Sequence, residues 1–491
     1  MASPGKRGFL LSVLLFLSAF LLLFCSQLVE KSMFIDGVWY AAIARNLTLG
    51  QGSFWQPQFS TTIFAQFYEH PPLVFGLQAT FFQLLGDHFM TERSFSLLQY
   101  LLSAALIVGL WRISYPNNRQ GQWLWFLPLL LWQANMVNYF YLPANVLDGT
   151  LSLFSLAALL LLFRATRAKS VAGYLAGAAL MIFLALLSKG FTGLFPLAFL
   201  GIHTLVFRRW SWGKTMGYSL VLVAMLGGLV AGLFLLAPAA ADSLRQYLDV
   251  QVMASLSGER RMYHFRHNQF FILGQLGMSL LPMVAVLVAS RLMLWLRPGG
   301  ERLEGRHRYA LCFLLVGLSA SLPLMVSPRQ ALLYLLPSMP YFSLAFALWA
   351  APGASALWNG LLQHPFRLRL LHTAFSVLCI AGLLFSYHNY GRINQRDRAV
   401  ISDAQQIAKI VGKATVLAST EYNMYISGYL MRDFQISLDT SRSTEAPFLL
   451  STADQVLQQK EYEKLPIATQ HYVLYQRKLN HQISLDNGKH Q

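Results

Sequence analysis

Long apolar runs recur along this chain, separated by short connectors in which the polar and basic residues collect. A helix crossing the hydrocarbon core of a bilayer needs roughly 20 apolar residues. The segments 8–28, 95–111, 123–141, 147–163, 172–188, 190–207, 217–238, 269–290, 309–327, 330–350 and 371–387 meet or approach that length, so eleven spans are predicted. Residues 71–88, PPLVFGLQATFFQLLGDH, are also apolar. Their uninterrupted run is short and opens on Pro71-Pro72, which predicts a helix lying along the interface rather than a span. A second interfacial helix is predicted at Gly37–Leu49, with Asp36 at its N-cap position. After residue 388 the pattern becomes that of a soluble domain. Helices are predicted there at Asp403–Val411 and Thr452–Glu463, and strands at Ala414–Ala418 and His471–Tyr475.

Composition removes the soluble alternative. Of 491 residues, 55% are hydrophobic and 12% charged, more apolar surface than one aqueous core buries. The formal charge of +17 would suit a nucleic-acid binder if it formed one patch, but Lys and Arg fall in the connectors between spans, where they set topology. Clusters at Arg112/Arg119, Arg164/Arg167/Lys169, Arg208/Arg209/Lys214, Arg291 to Arg308 and Arg367/Arg369 belong in the cytoplasm by the positive-inside rule. The N-terminus is then cytoplasmic and the C-terminus outside; counting 71–88 as a span would invert every later helix. The first apolar run follows Lys6 and Arg7 and lacks a convincing small-residue cleavage site, so it reads as a retained anchor rather than a signal peptide.

The expected organisation is an all-α polytopic membrane domain over 1–388 and a small extracytoplasmic α/β domain over 389–491. The membrane domain carries outer loops at 29–93 and 239–268. Cys25, Cys312 and Cys379 all fall within spans, which offers no disulfide framework and no CxxC metal site.

Acidic residues are scarce, so those at the outer boundary are informative. Asp36 follows the first span, Glu69 lies in Tyr-Glu-His-Pro-Pro, and Asp148 lies in Pro-Ala-Asn-Val-Leu-Asp-Gly at the start of the fourth span. An ionisable group at that depth costs a few kcal/mol unless it faces a cavity or a partner. The plainer alternatives are helix caps for Asp36 and Asp148 and an interfacial charge for Glu69. Lys189, in Ser-Lys-Gly-Phe, and Arg329, in Ser-Pro-Arg-Gln, sit at outer junctions and suit phosphate, unless Lys189 merely snorkels to water. The loop 239–268 adds Arg245, Arg260, Arg261, Arg266 and two histidines. His70 beside Glu69 is a weak candidate metal pair, and Arg93 reads as a topology or snorkelling residue. A carboxylate beside a cavity can act as general base on an acceptor hydroxyl, with Lys and Arg compensating a departing phosphate. A transporter with the same outer charges would read alike.

The ordered motifs are more specific than any one of them. They are Asp36-Gly-Val-Trp-Tyr-Ala-Ala-Ile-Ala-Arg45, Tyr68-Glu-His-Pro-Pro72 with Arg93-Ser-Phe-Ser-Leu, Leu147-Asp148, Leu187-Ser-Lys-Gly190 and Tyr334-Leu-Leu-Pro-Ser-Met-Pro340. Over residues 8–350 the chain resembles the aminoarabinose transferase and protein O-mannosyltransferase relatives (glycosyltransferase 39-like) among the polyprenyl-phosphate-dependent membrane glycosyltransferases, which share the GT-C fold. The resemblance implies Asp36 as catalytic base or acceptor-positioning group, with Glu69 and Asp148 as further active-site acids. Lys189, Arg260, Arg261 and Arg329 would handle the donor phosphate, and Tyr40, His70 and Tyr334 would line the substrate cavity.

Two departures stand out. Gly37 occupies a position where many relatives have a second acid, which counts against a metal-bound carboxylate pair. His70 replaces the lysine of the aminoarabinose transferases. The implied protein is an inverting transferase of the bacterial inner membrane that moves a sugar from a polyprenyl-phosphate donor. Its acceptor would be lipid A, another envelope glycolipid or polysaccharide, or protein. No cofactor is required by this reading, and a divalent metal is left open.

Overall fold

The computed structural model describes residues 6–116, 118–253, 270–296, 306–327, 330–441, 446–452 and 461–478. Among the described residues nine helices are long and apolar enough to cross a membrane: Lys6–Leu28, Phe89–Ser114, Leu147–Ala165, Ala172–Phe207, Trp212–Leu236, Phe271–Leu296, Arg306–Val326, Leu332–Leu362 and Pro365–Asn389. The chain is a multi-pass membrane protein.

Two differences from the eleven expected spans have local causes. Residues 172–207 form one helical run that reverses at Gly190, whose φ of +77° is open to glycine but strained for other residues. The following 3₁₀ segment, Gly190–Ala198, folds back so closely that a Cβ on Gly193 would lie 2.6 Å from the Ala185 carbonyl carbon. The run is therefore a hairpin whose limbs correspond to the spans expected at 172–188 and 190–207. The span expected at 123–141 is instead built from short helices at Arg119–Trp123, Phe126–Gln133 and Met136–Tyr141, broken where Asn135 turns its side chain to cap the last of them.

Four elements frame the site: α1 (Lys6–Leu28), α2 (Ile35–Thr48), α3 (Leu73–Leu85) and α4 (Phe89–Ser114). At 13 residues α3 is about 20 Å long, short of the roughly 30 Å a span requires, and it starts directly behind Pro71-Pro72 as the sequence led us to expect. The helix expected from Gly37 begins earlier, at Ile35. Its N-cap position is Phe34, and Asp36 sits inside the first turn, where its charge complements the helix dipole without capping it.

After α5 (Leu147–Ala165), α6 (Ala172–Lys189) and the remaining spans, α7 (Gln395–Val411) and α8 (Met424–Phe434) pack with a five-stranded sheet. Its strands are β1 (Val416–Ser419), β2 (Ser437–Asp439), β3 (Phe448–Thr452), β4 (Tyr462–Lys464) and β5 (Tyr472–Arg477), in the order β2-β1-β3-β5-β4. β1 is parallel to β2 and β3, and β5 is antiparallel to β3 and β4. Side-chain caps from Asn394 and Asn423 start the two helices, and Gly412 ends the first with φ +86°. Of the helix expected at Thr452–Glu463, residues 453–460 lie outside the described residues; Tyr462 and Glu463 belong to β4, and Thr452 to β3.

One buried apolar cluster lies among the spans, and a second is shared between the first loop and this C-terminal region. Val38, Trp39 and Ile43 of α2 meet Ile426, Tyr429 and Leu430 of α8 in that second core. Thr61 and Thr62 of the loop bond to Ser437 and Leu438 of β2.

Candidate active site

The first loop, the start of α5 (Leu147–Ala165) and the end of α6 (Ala172–Lys189) converge at one end of the helical bundle. Asp36 and Tyr40 stand four residues apart on one face of α2. That helix is pressed against residues 144–145: a Cβ on Gly37 would lie 1.9 Å from the Ala144 carbonyl oxygen. Asn145, held at φ +57°, donates its side-chain amide to the Gly37 carbonyl at 3.1 Å and to Gln78 of α3 at 3.1 Å. The glycine that departs from the resembled family thus has a packing reason, since no acid fits at that contact.

Asp148 lies in the first turn of α5 and Lys189 is the last residue of α6; their side chains form a salt bridge and a hydrogen bond. The Tyr334 ring centre is 4.6 Å from the Lys189 ammonium, a cation–π contact. Tyr40 meets the ring of His70 edge to face at 5.8 Å. Burial pushes the Tyr40 phenol well above its ordinary range, and the neighbouring Asp36, Asp148, Glu69 and Tyr334 push it further in the same direction.

Pairwise contacts thus link several of these residues: Tyr40 with His70, Asp148 with Lys189, and Lys189 with Tyr334, while Asp36 shares a helix face with Tyr40. Arg260, Arg261 and Arg329 lie outside the described residues, as do residues 254–268 of the 239–268 loop. Arg93 differs from its expected snorkelling role: it is 1% exposed and donates to the carbonyls of Pro143, Glu30 and Ser32 at 2.6, 2.9 and 2.7 Å. It ties the beginning of the first loop to the segment that leads into Asp148. Among the described residues no three His, Cys, Asp or Glu side chains form a group that could hold a metal ion.

The fold built from these elements matches a crystal structure of ArnT from Cupriavidus metallidurans bound to undecaprenyl phosphate, with a TM-score of 0.66 over 96% of this chain and 98% of that one at 13% identity. The fold is of the GT-C type. The apo form of the same ArnT gives a TM-score of 0.64 at 15% identity, covering 94% of this chain and 97% of that one. An Archaeoglobus fulgidus oligosaccharyltransferase gives 0.51 at 12% identity, covering 90% of this chain and 65% of that one. Residues 69–233 match the model of a family described as dolichyl-phosphate-mannose-protein mannosyltransferase. No curated protein matches the chain in sequence. The GT-C fold and the likeness to ArnT agree with the resemblance carried by the five motifs.

Sequence reasoning passed over three residues of this candidate site. Asn145 and Gln78 lock the loop segments that carry the acids, and the only signal for Asn145 was an asparagine one residue beyond Pro143-Ala144, a type that tolerates positive φ. Tyr247, in the helix Pro238–Tyr247, puts its hydroxyl where a Cβ on Gly190 would stand, 1.9 Å away, beside Lys189. The glycine after the lysine was its signal.

Proposed function

We propose that the chain is an inverting glycosyltransferase that takes a sugar from a polyprenyl-phosphate carrier and passes it to an envelope acceptor. The observation that carries this reading is the convergence of the helix bearing Asp36 and Tyr40 on the segment that leads into Asp148, with the His70 ring next to Glu69 against Tyr40 and the buried Asp148–Lys189 pair against Tyr334. The ArnT whose fold it shares binds a polyprenyl phosphate, and the matching family model is named for transfer from a dolichyl-phosphate sugar, which supports a lipid-phosphate donor.

In this mechanism the Asp36 carboxylate removes the acceptor hydroxyl proton as that oxygen attacks the anomeric carbon. The bond from that carbon to the phosphate oxygen breaks on the opposite face, inverting the centre. Glu69 and Asp148 orient the acceptor or sugar, and Tyr40, His70 and Tyr334 line the space. Lys189, with Arg260, Arg261 and Arg329, holds the departing polyprenyl phosphate. The Asp148 carboxylate pairs with the Lys189 ammonium and aims it before the donor arrives, which offsets part of the cost of burying that side chain. The acceptor class is lipid A, another glycolipid or polysaccharide, or protein. The protein would lie in a bacterial inner membrane with the N-terminus cytoplasmic and the C-terminal domain periplasmic.

The test is sugar transfer from a defined polyprenyl-phosphate sugar by purified protein in liposomes, comparing the natural chain with Asp36→Asn. Loss of transfer with donor binding retained is the expected result. Near-normal transfer by the variant would remove Asp36 from the chemistry, and no transfer by the natural chain from any donor would favour a carrier of lipid-linked material.

A further inference from the structure

The helix that carries Asp36 is held from the far end of the sequence. Helix α8 is bonded to α2 at both ends: the Trp39 indole donates to the Met424 carbonyl at 3.0 Å, and Arg45 donates to the carbonyls of Met431 and Arg432 at 2.8 and 2.7 Å. The Arg45 side chain is 2% exposed, so these bonds serve its two terminal nitrogens in place of water, with the Asp87 carboxylate 3.9 Å away.

Arg432 then fastens α8 to the spans. Its guanidinium makes a two-pronged bond to Glu92, in the first turn of α4, at 3.2 and 2.9 Å, and pairs with Asp87 at 2.7 Å. It also donates to the His88 carbonyl at 3.2 Å and lies 5.2 Å from the ring centre of Phe82 at the end of α3. Glu92 is 2% exposed and Arg432 6%. Helix α2 is thus gripped between the membrane helices and α8, with Arg432 as the rivet that fixes α8 in place. Such an arrangement exceeds what is needed to tether a soluble domain, because surface pairs would hold it without burying two charges.

We propose that Arg432 is a positioning residue for the transfer reaction: through α8 it fixes where α2 presents Asp36 and Tyr40. The C-terminal region is on this account part of the active-site frame. The proposal rests on the glycosyltransferase reading for its catalytic readout, and on the structure alone for its mechanical one.

Two measurements on full-length protein in nanodiscs test it: amide hydrogen exchange of residues 36–48, and steady-state transfer from a polyprenyl-phosphate sugar. Because Arg432→Met leaves Glu92 charged and buried, the variant Arg432→Met with Glu92→Gln is measured beside it, together with Trp39→Phe, which loosens the same contact and leaves every charge intact. Exchange in 36–48 is expected to rise about tenfold or more in the charge variants, while amides of 172–189 keep their protection. The turnover number is expected to fall about tenfold with KM for the donor changed less than about twofold, and Arg432→Lys to recover only part of it. Unchanged exchange in 36–48 in the folded variants overturns the proposal whatever the activity. Faster exchange with unchanged turnover overturns the positioning role. Should the natural chain transfer no sugar at all, the glycosyltransferase reading fails alone, and the exchange result still decides whether Arg432 holds α2.

Discussion

Lys189 and Asp148 form a salt bridge between the last residue of one membrane helix and the first turn of another, with side chains only 9% and 4% exposed. An isolated charge at such a site is costly, and the pair neutralises both members while leaving the ammonium against the face of Tyr334.

Removing one partner is therefore expected to cost more than removing both. Lys189→Met and Asp148→Asn should each destabilise the protein by about 3 kcal/mol or more, and the double variant by less than either single change. Denaturant unfolding in mixed micelles measures this coupling; additive losses would mean that the two charges do not depend on each other.

Gly37 faces the Ala144 carbonyl with no room for a methyl group. Gly37→Ala should push α2 off that contact, lose the Asn145 bond and cost about 1–3 kcal/mol, with transfer activity falling together with stability. Gly37→Asp, which restores the acid common among the resembled relatives, should fare worse. A Gly37→Asp protein of natural stability would contradict the packing described for this loop.

Arg93 satisfies three backbone carbonyls from two separate segments. Arg93→Met should cost about 3 kcal/mol or more, because the buried acceptors lose their donor. Arg93→Lys should recover only part of that, since a compact ammonium cannot span the same three oxygens. Equal stability of the lysine and natural proteins would show that charge alone suffices there.

The Tyr40 phenol stays protonated in the folded protein beyond the pH at which a free tyrosine, with its ordinary value of about 10, ionises. A group whose folded value is raised stabilises the fold fully below the unfolded value, and that stability drains away as pH rises through and above about 10. Tyr40→Phe should accordingly lose less stability than the natural protein between roughly pH 9.5 and 11. Unfolding midpoints across that window measure it, and parallel curves would refute the assignment.

Much of this was legible beforehand because a bilayer imposes length. The short run behind Pro71-Pro72 could be separated from a true span by counting residues, and the soluble composition after residue 388 marked a helix and strands that formed close to their expected places. Scarcity made Asp36, Glu69 and Asp148 visible, since a charge near the membrane boundary needs a reason. The reversal at Gly190 was legible, since separate spans were expected at 172–188 and 190–207 with Lys189 at their junction, whereas the breaks within 119–141 were hidden, because apolarity measures length and says nothing of where a backbone turns. Arg45, Asn145 and Arg432 were hidden for a related cause: their partners are chosen by which helix faces meet across the fold, information no local window contains. The triplet Asn46-Leu-Thr48 has the spacing of a glycosylation acceptor but falls within the interfacial helix the sequence predicts, and Asn46 is fully buried there and donates to the Phe59 carbonyl at 2.6 Å.

The bond from Arg45 to the Arg432 carbonyl joins residues 387 positions apart. At ordinary synthesis rates, α2 would leave the ribosome roughly 20 to 80 s before the helix that grips it exists. During that interval its buried arginine has no α8 carbonyls to bond, and α2 has no α8 face to pack against. The working geometry of the first loop is thus among the last things the growing chain can acquire, and an interrupted copy lacking its final hundred residues would carry every acid of the site without the clamp that aligns them.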